Sequence, residues 1–532
     1  MSTPEHQRGS FFLFALCAVY FAVFCLTLSH YGLTWDSALG EQYLGDKILQ
    51  FAKTLNPEYL QLAQDNLEIY RLPDQPNYFA TAAWGKAHPE HIWPLGPLLA
   101  ALSREVLHTQ SGVLDAIDAQ HFYLVFAMLG LFVLVFRFAR EHFGASAAAV
   151  ATLVLALHPR LWADAHNNIK DIPSTFFLTA TLFELFRAVA LERKESFVTG
   201  GLLWGCALAA KGNALFVPAI VCPWILFRGK PDRIVQLYRV ILSGAAAVIV
   251  MVGLWPLLLQ TRSSLPAHLS YLLQYGTAGA PGFHIGPIVE AFVTVPLPFL
   301  VLFLVGVLPV CTAAEANRPG FKSAVFLFLW LAVPILRVSL PHANDFDGIR
   351  HWEEYLVPFS IIAGVGAQQL FSRLPSTGFA WAVLGVLCLP SVVWMSANHP
   401  FEICFYNSLI GGLPGARERN LPQATDYWGS SFRSGIEWLN ANAPEGSTIV
   451  VPVAPHIVLT EKKIWLREDL HVVTYAGWRA QSDPDALFLT LVRKEHYPSG
   501  LDEDLRQATE LHVFSVEGEP ILQITQLCRR AE

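Results

Sequence analysis

The chain has 532 residues, of which 53% are hydrophobic and only 15% charged, with a net charge of −7. Soluble domains carry about 25% charged residues, so much of this chain must face lipid or other apolar helices. The acidic balance and the absence of a basic stripe exclude nucleic acid as a partner.

The eight cysteines are scattered and form no C-x-x-C pair, which argues against a zinc ribbon or a thioredoxin-like site. Cys404 and Cys528 share the C-terminal region, but spacing alone does not establish a disulfide between them.

A spanning helix needs about 20 mostly apolar residues. The first such run is Phe11 to Ser29, preceded by Arg8. It is longer than a signal-peptide core and no small-x-small cleavage site follows it, so it reads as an uncleaved signal anchor. Further runs are Phe122 to Phe138, Ser174 to Leu191, Leu237 to Leu259, Ile288 to Cys311, Ser323 to Leu340, Tyr355 to Phe371 and Phe379 to Met395. Ala145 to Leu157, Phe197 to Ala210 and Ala214 to Phe227 are shorter, and the last two together also fit a re-entrant hairpin. The expectation is an α-helical polytopic membrane protein with about eleven transmembrane helices.

A cytoplasmic N-terminus places Arg137, Arg140, Arg187, Arg193, Lys194, Arg228, Lys230, Arg233, Arg239, Arg318, Lys322 and Arg373 in inner loops. That matches the positive-inside rule, and the opposite orientation breaks it at nearly every loop. The outer segments are then a large first loop (30–120), HPRLWADAHNNIKDIP (158–173), a nearly uncharged loop (261–287) and PHANDFDGIRHWEE (341–354). Past residue 398 the chain becomes polar. SFRSGIEWLNANAP reads as an amphipathic helix, and STIVVPV, HVVTYAG and ELHVFSV read as strands. The expected division is a multi-pass domain (1–398) and a small soluble extracytoplasmic α/β domain (399–532).

The residues suited to chemistry lie in the outer loops. Asp36 follows the first helix, with Glu41 about one turn further on. It fits an interfacial carboxylate facing water, and equally a general base whose pKa is set by partial burial. Asp171 begins a helix with Pro173 in its first turn, which suits simple N-terminal charge placement. Its neighbours His166, Asn167, Asn168 and Lys170 are unusually dense for a mere cap. Lys211, Arg350 and His351 stand at helix ends, where snorkelling is the ordinary explanation. Lys211 lies on the side where the positive-inside rule disfavours a cation, and binding a lipid phosphate is one reason for it to be there.

In their order along the chain, GLTWDS, EHIWPLGPLLAAL, NNIKDIP, DGIRHWEEYLVPF and HPFEICFYNSLIGGLPGA…DYWGSSFRSGIEWLN resemble the GT-C superfamily of polyprenyl-phosphate-sugar-dependent glycosyltransferases. The likeness covers most of the chain and is closest to the bacterial glycosyltransferase family 39, the protein mannosyltransferase-like group. It implies Asp36 as catalytic base, Asp171 as a second acidic site residue, and Lys211 and Arg350, with His351 beside them, facing the lipid-linked donor. Glu41, His91 and Lys170 are candidate supporting residues.

Many members carry an Asp-Glu pair where this chain has Asp36-Ser37, so the second carboxylate is missing or replaced by Glu41. No metal ligand set is assigned, although a divalent metal is compatible with the chemistry. The implied partners are a polyprenyl-phosphate sugar donor, a lipid, glycan or protein acceptor, and membrane lipid, with the protein multi-pass in the inner membrane. The competing readings are a transporter or lipid flippase, and a non-catalytic member of the family.

Overall fold

A computed structural model of the chain describes residues 4–60, 93–259, 279–315, 320–343, 347–421, 423–481 and 483–527, with 266 and 270. Among these, five helices are long and apolar enough to cross a membrane: Gly9–His30, Ala116–Phe143, Asp171–Ala190, Arg233–Leu254 and Thr377–Asn398. Two bent pairs, Ala145–Ala156 with Pro159–Asn167 and Gly286–Val293 with Leu297–Thr312, raise that to seven if each pair is one span. Ser196–Ala210, Gly212–Phe227 and Ala324–Ser339 are shorter apolar helices. The protein is a multi-pass membrane protein, with five to seven such spans plus these shorter helices among the described residues.

The helices sort into an outer ring and a core. Ile234, Tyr238, Ile241 and Ile249 on one outer helix, and Phe379, Val386, Leu389 and Val393 on another, are exposed. Large apolar side chains arrayed in this way suit lipid contact rather than water. The Leu356–Phe371 helix is central, with most of its residues buried. A Cβ on Gly366 would run into Leu302 O, one on Gly306 into Ile362 O, and one on Gly364 into Ala147 O. Small residues there let backbones approach and lock this helix between its neighbours. The central helix starts just after Arg350, so its packing fixes where that arginine stands.

The C-terminal region forms a five-stranded sheet in the order β2-β1-β3-β5-β4. The strands are β1 (Thr448–Val451), β2 (His471–Thr474), β3 (Leu487–Leu491), β4 (Ala508–Val516) and β5 (Glu519–Leu527). β1 runs parallel to β2 and β3, whereas β5 is antiparallel to β3 and β4. The amphipathic helix expected after Ser431 is Phe432–Asn442. Its apolar face packs on the sheet through Phe432, Ile436 and Leu439.

The β4–β5 turn, with Glu517 at φ 50° and Gly518 at φ 85°, is of the kind that two-residue hairpins favour. The Glu517 carboxylate accepts hydrogen bonds from Trp394 Nε1 at 2.8 Å and Leu413 N at 2.6 Å. The sheet is thereby pinned to the end of the last spanning helix. Cys404 is buried and free; Cys528 lies outside the described residues.

Candidate functional site

Asp36 lies in the first helical turn after a loop (31–34) that leaves the first span, and this stretch is held by the C-terminal domain. Leu33 N donates to Glu461 Oε1 at 2.7 Å, Trp35 N to Trp428 O at 3.0 Å and Gly32 N to Ser430 O at 3.3 Å. His456 Nε2 lies 3.2 Å from Trp35 O. Gly32 is required by contact: a Cβ there would lie 2.7 Å from Glu461 Oε1 and 2.9 Å from Ser430 O.

The DYWGSS stretch owes its shape to buried Asp426. That carboxylate accepts from the N–H groups of Trp428, Gly429 and Ser431 at 3.2, 2.9 and 2.7 Å. The turn it makes presents the carbonyls that hold the Asp36 loop.

A second loop, NNIKDIP, is organised by Asn168. Its Oδ1 accepts from Asp171 N at 2.9 Å, and its Nδ2 donates to Asp171 Oδ2 at 2.8 Å and Asp164 Oδ1 at 3.1 Å. Gly96 of the Pro-rich stretch lets the Leu95–Arg104 helix rest on the Ile169 carbonyl, where a Cβ would clash. Tyr123 Oη donates to the same carbonyl at 2.6 Å. These contacts aim Lys170 back toward the first loop.

The charged groups then meet. Lys170 Nζ is 2.9 Å from both Asp36 Oδ2 and Glu41 Oε1. Lys211 Nζ is 2.6 Å from Asp171 Oδ1 and donates to the Arg350 carbonyl at 2.9 Å. Arg350 Nη1 lies 3.4 Å from Asp36 Oδ2 and 3.5 Å from Asp171 Oδ2, while its Nη2 bonds Asp347 Oδ2 at 2.7 Å. Its guanidinium stacks 4.4 Å from the Trp428 ring centroid.

Six of these seven charged side chains are enclosed to 14% exposure or less, and Asp36, at 27%, is the most open of them. The two contacts of Arg350 Nη1 are longer than the 2.7–2.9 Å of a tight charged hydrogen bond. Its buried Nε has no hydrogen-bond partner. Arg350 is therefore a cation with donors to spare.

Burial disfavours the ionised form of Asp36, but the charges of Lys170 and Arg350 outweigh it and hold this carboxyl below the usual range. Burial dominates at Glu41 and pushes its pKa up, against the pull of Lys170. Among the described residues no group of three or more His, Cys, Asp or Glu could hold a metal ion. Lys170 bridges Asp36 and Glu41, the place that a divalent ion shared by these carboxylates would occupy.

Residues 88–258 match the family model described as dolichyl-phosphate-mannose-protein mannosyltransferase. Over nearly the whole chain the structure is similar to ArnT from Cupriavidus metallidurans. The form bound to undecaprenyl phosphate superposes with a TM-score of 0.50 at 15% identity, covering 97% of this chain and 98% of that one. The apo form gives 0.52 at 14% identity over the same shares. The chain shares the fold of ArnT. Arabinofuranosyltransferase AftD from Mycobacteria is also similar, at a TM-score of 0.43 and 14% identity, covering 96% of this chain and 40% of that one. No curated protein sequence matches the chain.

Within this fold, the residues singled out from sequence mostly converge. Asp36, Glu41, Lys170, Asp171, Lys211 and Arg350 form one connected network. His351 enters through its carbonyl, which accepts from Asn213 Nδ2 at 2.9 Å and from Arg337. His91 lies outside the described residues.

Sequence reading missed the residues that hold this network in place: Asp347, Trp428, Glu461 and Arg493. Arg493 reaches Asp347 across 146 residues of chain. Asp347 and Trp428 lie inside segments that the sequence marks, DGIRHWEEYLVPF and DYWGSS, whereas no local spacing links Glu461 and Arg493 to the ends of apolar helices.

Proposed function

We propose that this protein is a membrane glycosyltransferase moving a sugar from a polyprenyl-phosphate donor to an acceptor hydroxyl in one inverting displacement. What carries the reading is Asp36, the least enclosed carboxylate of this network, standing against Arg350, a cation with unused donors. An ArnT-like fold agrees with it, since that ArnT structure holds undecaprenyl phosphate.

The Asp36 carboxylate takes the acceptor hydroxyl's proton as that oxygen bonds to the anomeric carbon. The bond from that carbon to the phosphate oxygen breaks, and the electron pair leaves with the polyprenyl phosphate. A glycosidase needs a second carboxyl to protonate an alkoxide leaving group. A phosphate needs charge stabilisation instead, and Arg350 with Lys211 beside it supplies that. Asp171 keeps those two cations in register.

The transporter reading is less supported, because these charges gather in loops at helix ends, whereas transporter sites lie at the bilayer midplane between repeats. Residues 1–398 form the transferase domain and 399–532 the soluble domain. The distribution of Lys and Arg puts the N-terminus in the cytoplasm and the site on the outer face.

The test is transfer from a polyprenyl-phosphate-linked sugar in membranes carrying the Asp36→Asn variant. The expected loss is about 100-fold or more, the usual scale for a general base. Transfer at the wild-type rate removes Asp36 from this role.

A further inference from the structure

Arg493 follows β3 in the C-terminal domain and is 8% exposed. Its Nη2 donates to Asp347 Oδ1 at 3.0 Å, its Nη1 to the Tyr427 carbonyl at 2.6 Å and its Nε to Glu495 Oε1 at 2.9 Å. Its Cζ lies 5.2 Å from the centroid of Trp35, the residue before Asp36.

The other oxygen of Asp347 accepts from Arg350 Nη2 at 2.7 Å. One carboxylate thus joins an arginine of the soluble domain to the arginine of the site. Asp347 sits at φ 58° and Gly348 at φ 66°. A left-handed Asp followed by a left-handed Gly is a bend that a non-glycine residue keeps only when its surroundings hold it.

We propose that Arg493 is a positioning residue for Arg350, acting through Asp347. By anchoring Asp347 on one side, Arg493 leaves its second oxygen to grip Arg350 Nη2. Arg350 Nη1 and Nε then stay free toward Asp36 and an incoming phosphate. Because Arg493 also rests against Trp35, the same side chain sets the spacing between the base and the phosphate cation. This rests on the reading of Arg350 as the donor-phosphate group.

The test uses the detergent-purified full chain and native mass spectrometry, titrating undecaprenyl phosphate against undecaprenol, which lacks the phosphate. Wild type is expected to prefer the phosphate lipid. Arg493→Ala should lose about tenfold or more in affinity for it, while undecaprenol binding stays unchanged. Asp347→Asn should match that loss, and the double variant should lose no more than either single one, since both break the same relay. Arg493→Lys keeps the charge without the fork and should recover part of the affinity; it also serves as the readable variant if Arg493→Ala does not purify as a monodisperse protein.

An unchanged phosphate preference in these variants overturns the relay alone. An equal loss for both lipids also overturns it and makes Arg493 a structural tie. A wild type with no phosphate preference removes the proposed function and the relay with it.

Discussion

With Lys170 and Arg350 beside it, Asp36 is a poor base, because both cations stabilise its ionised form. The same contacts supply a way to activate it. A donor phosphate that recruits Arg350 takes positive charge away from Asp36, and losing a cation raises a carboxyl pKa. The acid limb of the pH profile should therefore lie at higher pH for kcat, which reports the bound complex, than for kcat/KM, which reports the free enzyme. Coincident limbs would show that Arg350 keeps its hold on Asp36 when the donor binds. Lys170→Met removes the ammonium bridging Asp36 and Glu41, so it should move the kcat/KM acid limb upward by about one unit or more.

Among elements, the helix Pro455–Trp465 carries Glu461 against the Asp36 loop. Burial raises the Glu461 carboxyl to about 8, and its Oε2 has no hydrogen-bond partner. A carboxyl whose folded pKa exceeds its unfolded value of 4.5 binds its proton more tightly when folded. Its contribution is then whole below about pH 4.5 and is lost as pH rises toward 8. Glu461→Gln keeps an oxygen for Leu33 N–H and has no charge to bury, so its unfolding temperature should gain on wild type from pH 6 to pH 9. A constant difference across that range would show that Glu461 does not titrate there.

This clamp also marks where sequence stopped being informative. Apolar runs, the shift near residue 399 and three of the five strands were legible because each leaves a local pattern. Strand β3 is buried at every position, so DALFLTLV has no alternation to betray it. Asp36 was visible as a carboxylate just past a helix end, and Lys211 as a cation that broke the charge asymmetry. Glu461 and Arg493 look like ordinary residues of the C-terminal region, and Trp428 lies in the DYWGSS stretch with no role assigned to it, because what gives all three importance is a contact made only after the two parts of the chain dock.

At the scale of the whole molecule, docking and sidedness are one question. The sheet region supplies the Trp428 and Ser430 carbonyls, Glu461 and Arg493 to the network. Wherever that region sits, the site sits too. The proposed reaction brings a lipid-phosphate donor and its acceptor together at that site, so an outer-face reaction requires the C-terminal domain on the same face. Asp502 and Arg193 are both exposed, one in the C-terminal domain and one in the short loop after the Asp171–Ala190 span. In a background with all eight native cysteines replaced, a membrane-impermeant maleimide should label Asp502→Cys in intact cells. Arg193→Cys should be labelled only after permeabilisation if the proposed orientation, with its basic loops in the cytoplasm, holds. The reverse pattern would put Asp36, Arg350 and the soluble domain together on the inner face, and the donor would have to be read as a cytoplasmic one.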